Sequence, residues 1–369
     1  MRHIKKIISW YSRFEKPISS ISLIVGFFVG SLTLTRVDKI FENVLIGIQL
    51  VAVAICIVIL HRQQAKHEIS EKSDEGLARL HFWATTILQF LFGGILSTYL
   101  IFYFRGAVFG VAWPFLLVLV IALLASEALK KNYVRMGFQM GIFFLSLLTF
   151  SIFFVPVITH RIGPWIFVLS WAISCVVLFL FLFILWFANK TRLKKSRKII
   201  AGVTIGISCV VGLLYFTNSI PPLPLLVLDS GIYHAVSRNS SGGYVVMQEN
   251  QDINSSMSLF KKKEVVHVVP SSPIYAYSAI FSPISFNTKI IHEWQWYDTR
   301  ANKWTTQEKI ALGVSGGRIN GYRTYSMITR LNSGQWRVTV RTQNGQVVGR
   351  IRFEVIVQNT VPTLYTAIK

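Results

Sequence analysis

Ile220-Pro221-Pro222-Leu223-Pro224-Leu225 divides the chain into two kinds of sequence. Three prolines in four residues favour extended polyproline geometry, so residues 220–230 read as a stiff spacer. On its N-terminal side lie apolar runs at 18–35, 44–60, 82–104, 108–125, 138–156, 164–188 and 199–217. A helix needs about 20 apolar residues to cross a hydrocarbon core, with roughly 17 as the lower limit. Residues 1–219 therefore read as a bundle of seven transmembrane helices. On the C-terminal side, over 231–369, the hydrophobic period changes from that of a helix to that of a strand.

Composition agrees with this division. Apolar residues make up 52% of the chain and charged residues 15%, against roughly 25% charged in soluble proteins. The net charge of +22 would suit nucleic acid if it were clustered on a folded surface. In the first half, however, the cations sit in the loops between apolar runs, which speaks against a nucleic-acid partner. With the N-terminus inside, the segments 1–17, 61–81, 126–137 and 189–198 hold 18 Lys and Arg, and the alternate segments 36–43, 105–107 and 157–163 hold 4. The strongest determinant is Lys190-Thr191-Arg192-Leu193-Lys194-Lys195-Ser196-Arg197-Lys198. By the positive-inside rule the N-terminus is cytoplasmic, and seven spans carry the tail to the far side, the periplasm of a bacterial inner membrane.

The span interiors carry no Asp, Glu, Lys or Arg, which disfavours an ion-coupled carrier. Gln49, Gln89 and Gln139 read as interhelical hydrogen-bonding groups, and Gly26 with Gly30 as a close-approach spacing. Cys56, Cys175 and Cys209 all fall in spans, so the tail has no disulfide staple and depends on its own core.

In the tail, strands are expected at 231–237, 243–249, 264–269, 273–281, 289–298, 308–314, 322–331, 335–342 and 346–357. Asn344-Gly345 reads as a two-residue hairpin turn, because both positions tolerate positive φ. This many short strands predicts an all-β domain, an antiparallel immunoglobulin-like β-sandwich.

The densest chemistry lies in His292-Glu293-Trp294-Gln295-Trp296-Tyr297-Asp298, then Ser315-Gly316-Gly317-Arg318-Ile319-Asn320-Gly321-Tyr322-Arg323-Thr324-Tyr325-Ser326, then Gly334-Gln335-Trp336-Arg337-Val338. Over about 221–357 these motifs resemble an uncharacterised bacterial membrane-protein family whose C-terminal domain is of unknown function (DUF2914). The resemblance implies a helical membrane region leading into such a tail, and no activity.

Enzyme templates do not fit these residues. His292-Glu293 lacks the second His of H-E-x-x-H, and Trp296 stands in its place. Ser326, His292 and Asp298 could formally compose a triad, without a nucleophile elbow around the serine. His234, His267 and His292 lack metal-ligand spacing. No catalytic, cofactor or metal residue is assigned. The recognition candidates are His292, Trp294, Trp296, Arg318, Tyr322, Arg323, Tyr325 and Arg337. Trp294 and Trp296 share one strand face, either as the packing anchor or as an exposed stacking platform. Arg318, Arg323 and Arg337 either anchor turns or form an anion-recognising patch beside Tyr322 and Tyr325. The expected function is recognition or scaffolding of an envelope protein or an anionic glycan or lipid. The alternative is a membrane enzyme or lipid-handling factor acting at the helix–sandwich junction.

Overall fold

Unbroken apolar sequence forms helices, and alternating sequence forms strands. The computed structural model describes residues 40–69, 75–128, 135–240, 243–249, 264–282, 287–316 and 320–369. The expected first span at 18–35 and the candidate Arg318 lie outside the described residues. The helices are α1 (Ile40–Ile69), α2 (Glu75–Arg105), α3 (Phe109–Ala128), α4 (Met136–Thr159), α5 (Pro164–Ala188) and α6 (Lys190–Phe216). Seven helices were expected; among the described residues there are six. Five are long and apolar enough to cross a membrane, and the apolar stretch of α3, Gly110–Ser126, is shorter. The described chain divides into two compact units, Gly106–Val111 with Ile220–Lys369, and the remaining helical residues.

In the helical unit α4 is buried along nearly its whole length. Its neighbours meet it through polar groups that satisfy one another. Tyr99 donates to the Ser146 carbonyl at 2.9 Å and Tyr103 to the Thr149 carbonyl at 3.0 Å. His61 Nε2 lies 2.9 Å from Gln139 Oε1. The outer surface carries Trp165, Phe90 and Phe187 at 83%, 76% and 71% exposure. Such surfaces are unstable in water and ordinary in lipid.

α5 and α6 form a hairpin about one residue, Asn189. Its backbone N–H donates to the Leu185 carbonyl at 2.9 Å, and its Oδ1 accepts from the Arg192 N–H at 3.1 Å, so it closes one helix and caps the next. Phe167 stacks on Tyr215 with centroids 4.0 Å apart, and Trp171 Nε1 donates to Ser208 Oγ at 3.0 Å. The basic run expected as a loop over 189–198 is instead the first turns of α6. Lys, Arg and Leu are strong helix formers, and no Gly or Pro interrupts them.

The C-terminal unit contains β1 (Leu226–Tyr233), β2 (Ala235–Arg238), β3 (Tyr244–Glu249), β4 (Glu264–Val268), β5 (Ile274–Phe281), β6 (Asn287–Asp298), β7 (Lys303–Ser315), β8 (Tyr322–Ile328), β9 (Gly334–Thr342), β10 (Val347–Val357) and β11 (Leu364–Ile368). β1 begins inside the 220–230 stretch read as a spacer, and Ile220, Leu223 and Leu225 are buried. The strands pair as β1-β5-β8, β4-β10-β9-β6-β7 and β11-β3-β2.

Two features correct the expectation of a purely antiparallel two-sheet arrangement. β4 and β10 are parallel, from Phe353 opposite Glu264 to Val357 opposite Val268. A third sheet, closed by β11, was not foreseen, because Leu364–Ile368 does not alternate and offers no period to read. The main core draws on the β1-β5-β8 sheet and the five-stranded sheet: Ile232, Ile274, Ala276 and Ile328 from the first, and Val266, Trp294, Trp336, Val338, Ile351 and Phe353 from the second. A second cluster, with Tyr233, Val236, Val246 and Tyr277, joins the three-stranded sheets to each other.

The β9–β10 turn, with a bulge between Val347 and Gly349 beside it, sets the register that matters below. Gly345 N–H donates to the Thr342 carbonyl at 3.0 Å, and Thr342 N–H donates to the Gln346 carbonyl at 2.9 Å. Gly345 has φ 86°, whereas Asn344 is not at positive φ. The loop thus spans three residues with a left-handed glycine at its end, not the two-residue form expected.

Candidate functional site

The tryptophan motif turns inward. Trp294 is fully buried, edge-on to Phe353 with centroids 6.2 Å apart, and Trp296 packs partly buried against the same core. Each indole of the group finds an acceptor: Trp294 on Ser326 Oγ at 2.9 Å, Trp296 on the Ser333 carbonyl at 3.2 Å, and Trp336 on the Asn332 carbonyl at 2.8 Å. Of the two readings open in the sequence, the packing anchor describes these side chains.

His292 also faces the interior, on the same side of β6 as Trp294. Its Nε2 lies 2.9 Å from Ser278 Oγ and its Nδ1 2.9 Å from Ser326 Oγ. A neutral imidazole serves both hydroxyls with one N–H and one lone pair. Burial pushes its pKa down to about 4. The formal triad is not assembled. Asp298 accepts from the Arg300 and Ala301 N–H groups at 2.9 and 3.2 Å in the turn after β6. Six residues of strand separate it from His292, about 20 Å. The three histidines do not converge either. His234 Nε2 and His267 Nδ1 flank Glu249 at 2.9 and 2.7 Å, while His292 lies in the core. Among the described residues no group of three or more His, Cys, Asp or Glu is placed to hold a metal ion.

Tyr322, Arg323 and Tyr325 lie on β8, at one edge of the β1-β5-β8 sheet. Tyr325 is 38% exposed and packs among Tyr244 and Tyr275, with centroids 6.1 and 5.9 Å away. The Arg323 carbonyl accepts from the Tyr244 hydroxyl at 3.4 Å. Arg337 belongs to β9 in the five-stranded sheet, so the sequence grouping of Arg323, Tyr325 and Arg337 is not one surface.

Arg337 has other neighbours. On the face of the five-stranded sheet turned away from Trp294, two rows run across the strands. Arg352, Arg337, Gln295 and Thr306 form one, and Arg350, Thr339, Glu293 and Lys309 the other. Arg341 lies on the same side of β9 as Arg337, with Thr339 between them. Arg337 Nε donates to Gln295 Oε1 at 2.6 Å, and its guanidinium lies over the Trp304 ring, 4.2 Å from the centroid. Arg341 Nε donates to Glu293 Oε2 at 2.6 Å, and Thr306 Oγ1 to Glu293 Oε1 at 3.0 Å. Arg350 Nε is buried with no hydrogen-bond partner among the described residues.

The electrostatics of this face are one-sided. Burial, then the guanidinium groups of Arg350, Arg352 and Arg341, pull the pKa of Arg337 down to about 10. Burial and the Arg352 and Arg341 charges likewise lower that of Arg350. Glu293 is the carboxylate that answers them. Burial would raise its pKa, but Arg341, Thr306 and Lys309 outweigh this and hold it below 4.5.

The conserved-family pattern "Protein of unknown function (DUF2914)" matches residues 287–355, which hold both of these rows. Residues 287–355 are a DUF2914 domain. The DUF2914 domain runs from β6 into β10, and thus contributes Trp294, Trp336 and Phe353 to the core as well as the four arginines to the outer face. No curated protein matches the chain. Among solved structures, a mutant β-glucosidase from Listeria innocua in complex with laminaribiose is similar at 13% identity and TM-score 0.18, over 31% of this chain and 16% of that one. β-Glucosidase from the same organism in complex with isofagomine gives 12% identity, TM-score 0.18 and the same coverage. The alkylpurine DNA glycosylase AlkC of Pseudomonas fluorescens, bound to DNA containing an abasic-site analogue, gives 9% identity and TM-score 0.22 over 88% of this chain and 100% of that one. This chain thus spans about a sixth of the β-glucosidase's length, and none of these scores describes a shared fold.

The Arg350–Arg352 pair was missed in the sequence although its signal was there. A hairpin at Asn344-Gly345 lays β10 back along β9, and residues two apart share a face. Arg337, Arg341, Arg350 and Arg352 then follow as one surface.

Proposed function

We propose that this chain is a polytopic membrane protein whose C-terminal β domain recognises an anionic envelope component, glycan or protein, through the arginine face of its five-stranded sheet. The helices anchor it. The observation that carries the reading is Arg337 directly opposite Arg352, with Arg341 and Arg350 beside them. Like charges facing each other across strands destabilise a sheet. A face that sets four guanidinium groups and Lys309 against the buried Glu293 and the half-buried Glu354 keeps a net positive field that an arriving carboxylate or phosphate offsets. Arginine suits that role, because its planar fork binds either oxyanion with two parallel hydrogen bonds.

Finer points of the reading draw on particular features. The strand order β4-β10-β9-β6-β7 opposite β1-β5-β8, with Trp294 buried on β6, supports an immunoglobulin-like sandwich. A further span at 18–35 would bring the helices to seven, and the charge asymmetry of the loops supports a cytoplasmic N-terminus and a periplasmic β domain in a bacterial inner membrane.

The test is retention of the detergent-solubilised chain on immobilised polygalacturonate and polyglutamate. Wild type should be retained on at least one, with elution at rising salt. Arg337→Gln combined with Arg352→Gln should weaken retention by at least about tenfold, since hydrogen bonds to charged groups contribute about 1.5–3 kcal/mol each. Equal retention of wild type and variant on both would remove this face as the binding surface.

A further inference from the structure

A cavity of about 990 Å³ lies between α4 and α6, separate from the arginine face. Its walls are apolar, with Leu145, Val203 and Ile207 along its length, and its lining includes Arg135, Arg192 and Lys195. These cations belong to the N-terminal ends of the two helices, so they gather at one end of the groove. Among the described residues no acidic side chain lines it.

The local sequence explains the shape. Gly137 and Gly141 face α6 one turn apart, and a Cβ on them would fall 2.6 Å from Ile199 Cγ2 and 2.8 Å from Val203 Cγ1. The two glycines let the helices touch at these points. Arg192 is steadied by the side-chain oxygen of Gln64 on α1, and Lys195 is exposed one turn further along α6.

We infer that this groove binds an anionic phospholipid, with an acyl chain against Leu145, Val203 and Ile207 and the headgroup phosphate on Arg135, Arg192 and Lys195. Charge complementarity selects this occupant. A non-ionic detergent would fill the apolar part but bring no charge to Arg135 and Lys195, and a zwitterionic lipid would bring its phosphate together with a further cation. A cationic cluster at the end of an apolar groove is the arrangement that a lipid with a net negative headgroup matches at both ends.

The probe is phosphatidylglycerol, compared with phosphatidylcholine of the same chains, added to the full-length chain in non-ionic detergent and read by native mass spectrometry. Phosphatidylglycerol should be retained in preference. Arg135→Gln with Lys195→Gln should reduce its retention by at least about tenfold. Lys198→Gln, which removes the same charge from the same helix outside the groove, should leave it unchanged. Val203→Trp, which fills the groove, should reduce retention with the cations intact; if that variant does not assemble, the glutamine pair decides. Glycerol phosphate should fail to compete at concentrations where the lipid does. Equal retention of the two lipids, an equal effect of Lys198→Gln, or full competition by glycerol phosphate would overturn the assignment.

Discussion

Trp294→Ala is expected to destabilise the C-terminal unit by about 3–5 kcal/mol, the range for emptying a large aromatic site in a core. Trp294 sits where the five-stranded sheet meets the β1-β5-β8 sheet, fully buried against Phe353, and its indole N–H occupies Ser326 Oγ. Truncation removes one of the two buried tryptophans of that core and takes a hydrogen bond from a hydroxyl that also serves His292. Domains of this size are stable by about 5–15 kcal/mol in total, so the loss is a large fraction of what holds the unit together. Urea unfolding of the full-length chain in detergent, followed by near-ultraviolet circular dichroism, should show the midpoint of the β transition falling sharply. Arg352→Gln, on the opposite face of the sheet, should not lower it. A Trp294→Ala variant with an unchanged midpoint would mean that the two sheets are not held together through this side chain.

Acid should weaken the same core through His292. Burial holds the imidazole neutral down to about pH 4, whereas its ordinary value is 6.5. Between those values the unfolded chain binds a proton that the folded chain refuses. Stability therefore falls as pH falls from 6.5 towards 4 and stops falling below that. Each pH unit in the window is worth about 1.4 kcal/mol, for a total of roughly 3 kcal/mol. Glu293 and Glu249 act in the same direction but lower in pH. Both are held below 4.5 in the folded state, so their contributions are complete above that value and lost as pH drops through their folded values. His292→Gln should keep a hydrogen-bonding side chain between Ser278 and Ser326 and remove the titration. Its unfolding midpoint should be flat from pH 6.5 to 4.5, where wild type slopes. Parallel curves for the two proteins would place the titrating group elsewhere.

The sequence disclosed whatever depends on one element at a time. Apolar runs have to be near the width of a hydrocarbon core, so the apolar spans read at 44–60, 82–104 and 164–188 lie within a few residues of Phe41–Gln64, Trp83–Arg105 and Pro164–Ala188. The first two helices extend beyond them into polar sequence. His292-Glu293-Trp294-Gln295-Trp296 announced a strand with one buried face, because its aromatic residues recur at every second position. What stayed hidden depends on pairs of elements. Alternation gives the face of a residue and says nothing about which strand lies alongside, so the parallel β4–β10 pairing and the third sheet had no local signature. The same gap explains the recognition residues. Arg323 and Arg337 are close in sequence, but β8 and β9 belong to different sheets, and nearness along the chain was a poor guide to a shared surface. Arg341, Arg350 and Arg352 were overlooked because they become neighbours of Arg337 only once the hairpin register is drawn.

The most direct test of the arginine face sets stability against binding in one variant, Arg352→Gln. This side chain is exposed and opposes Arg337 across the strands. If the face exists to meet an anion, removing one guanidinium relieves repulsion, and the urea midpoint should stay level or rise. Retention on the acidic polymer that holds the wild type should at the same time fall by about fivefold or more, the loss of roughly 1 kcal/mol or more per arginine. A lower midpoint with undiminished retention would contradict the account, because Arg352 would then be holding the sheet together and not serving a ligand.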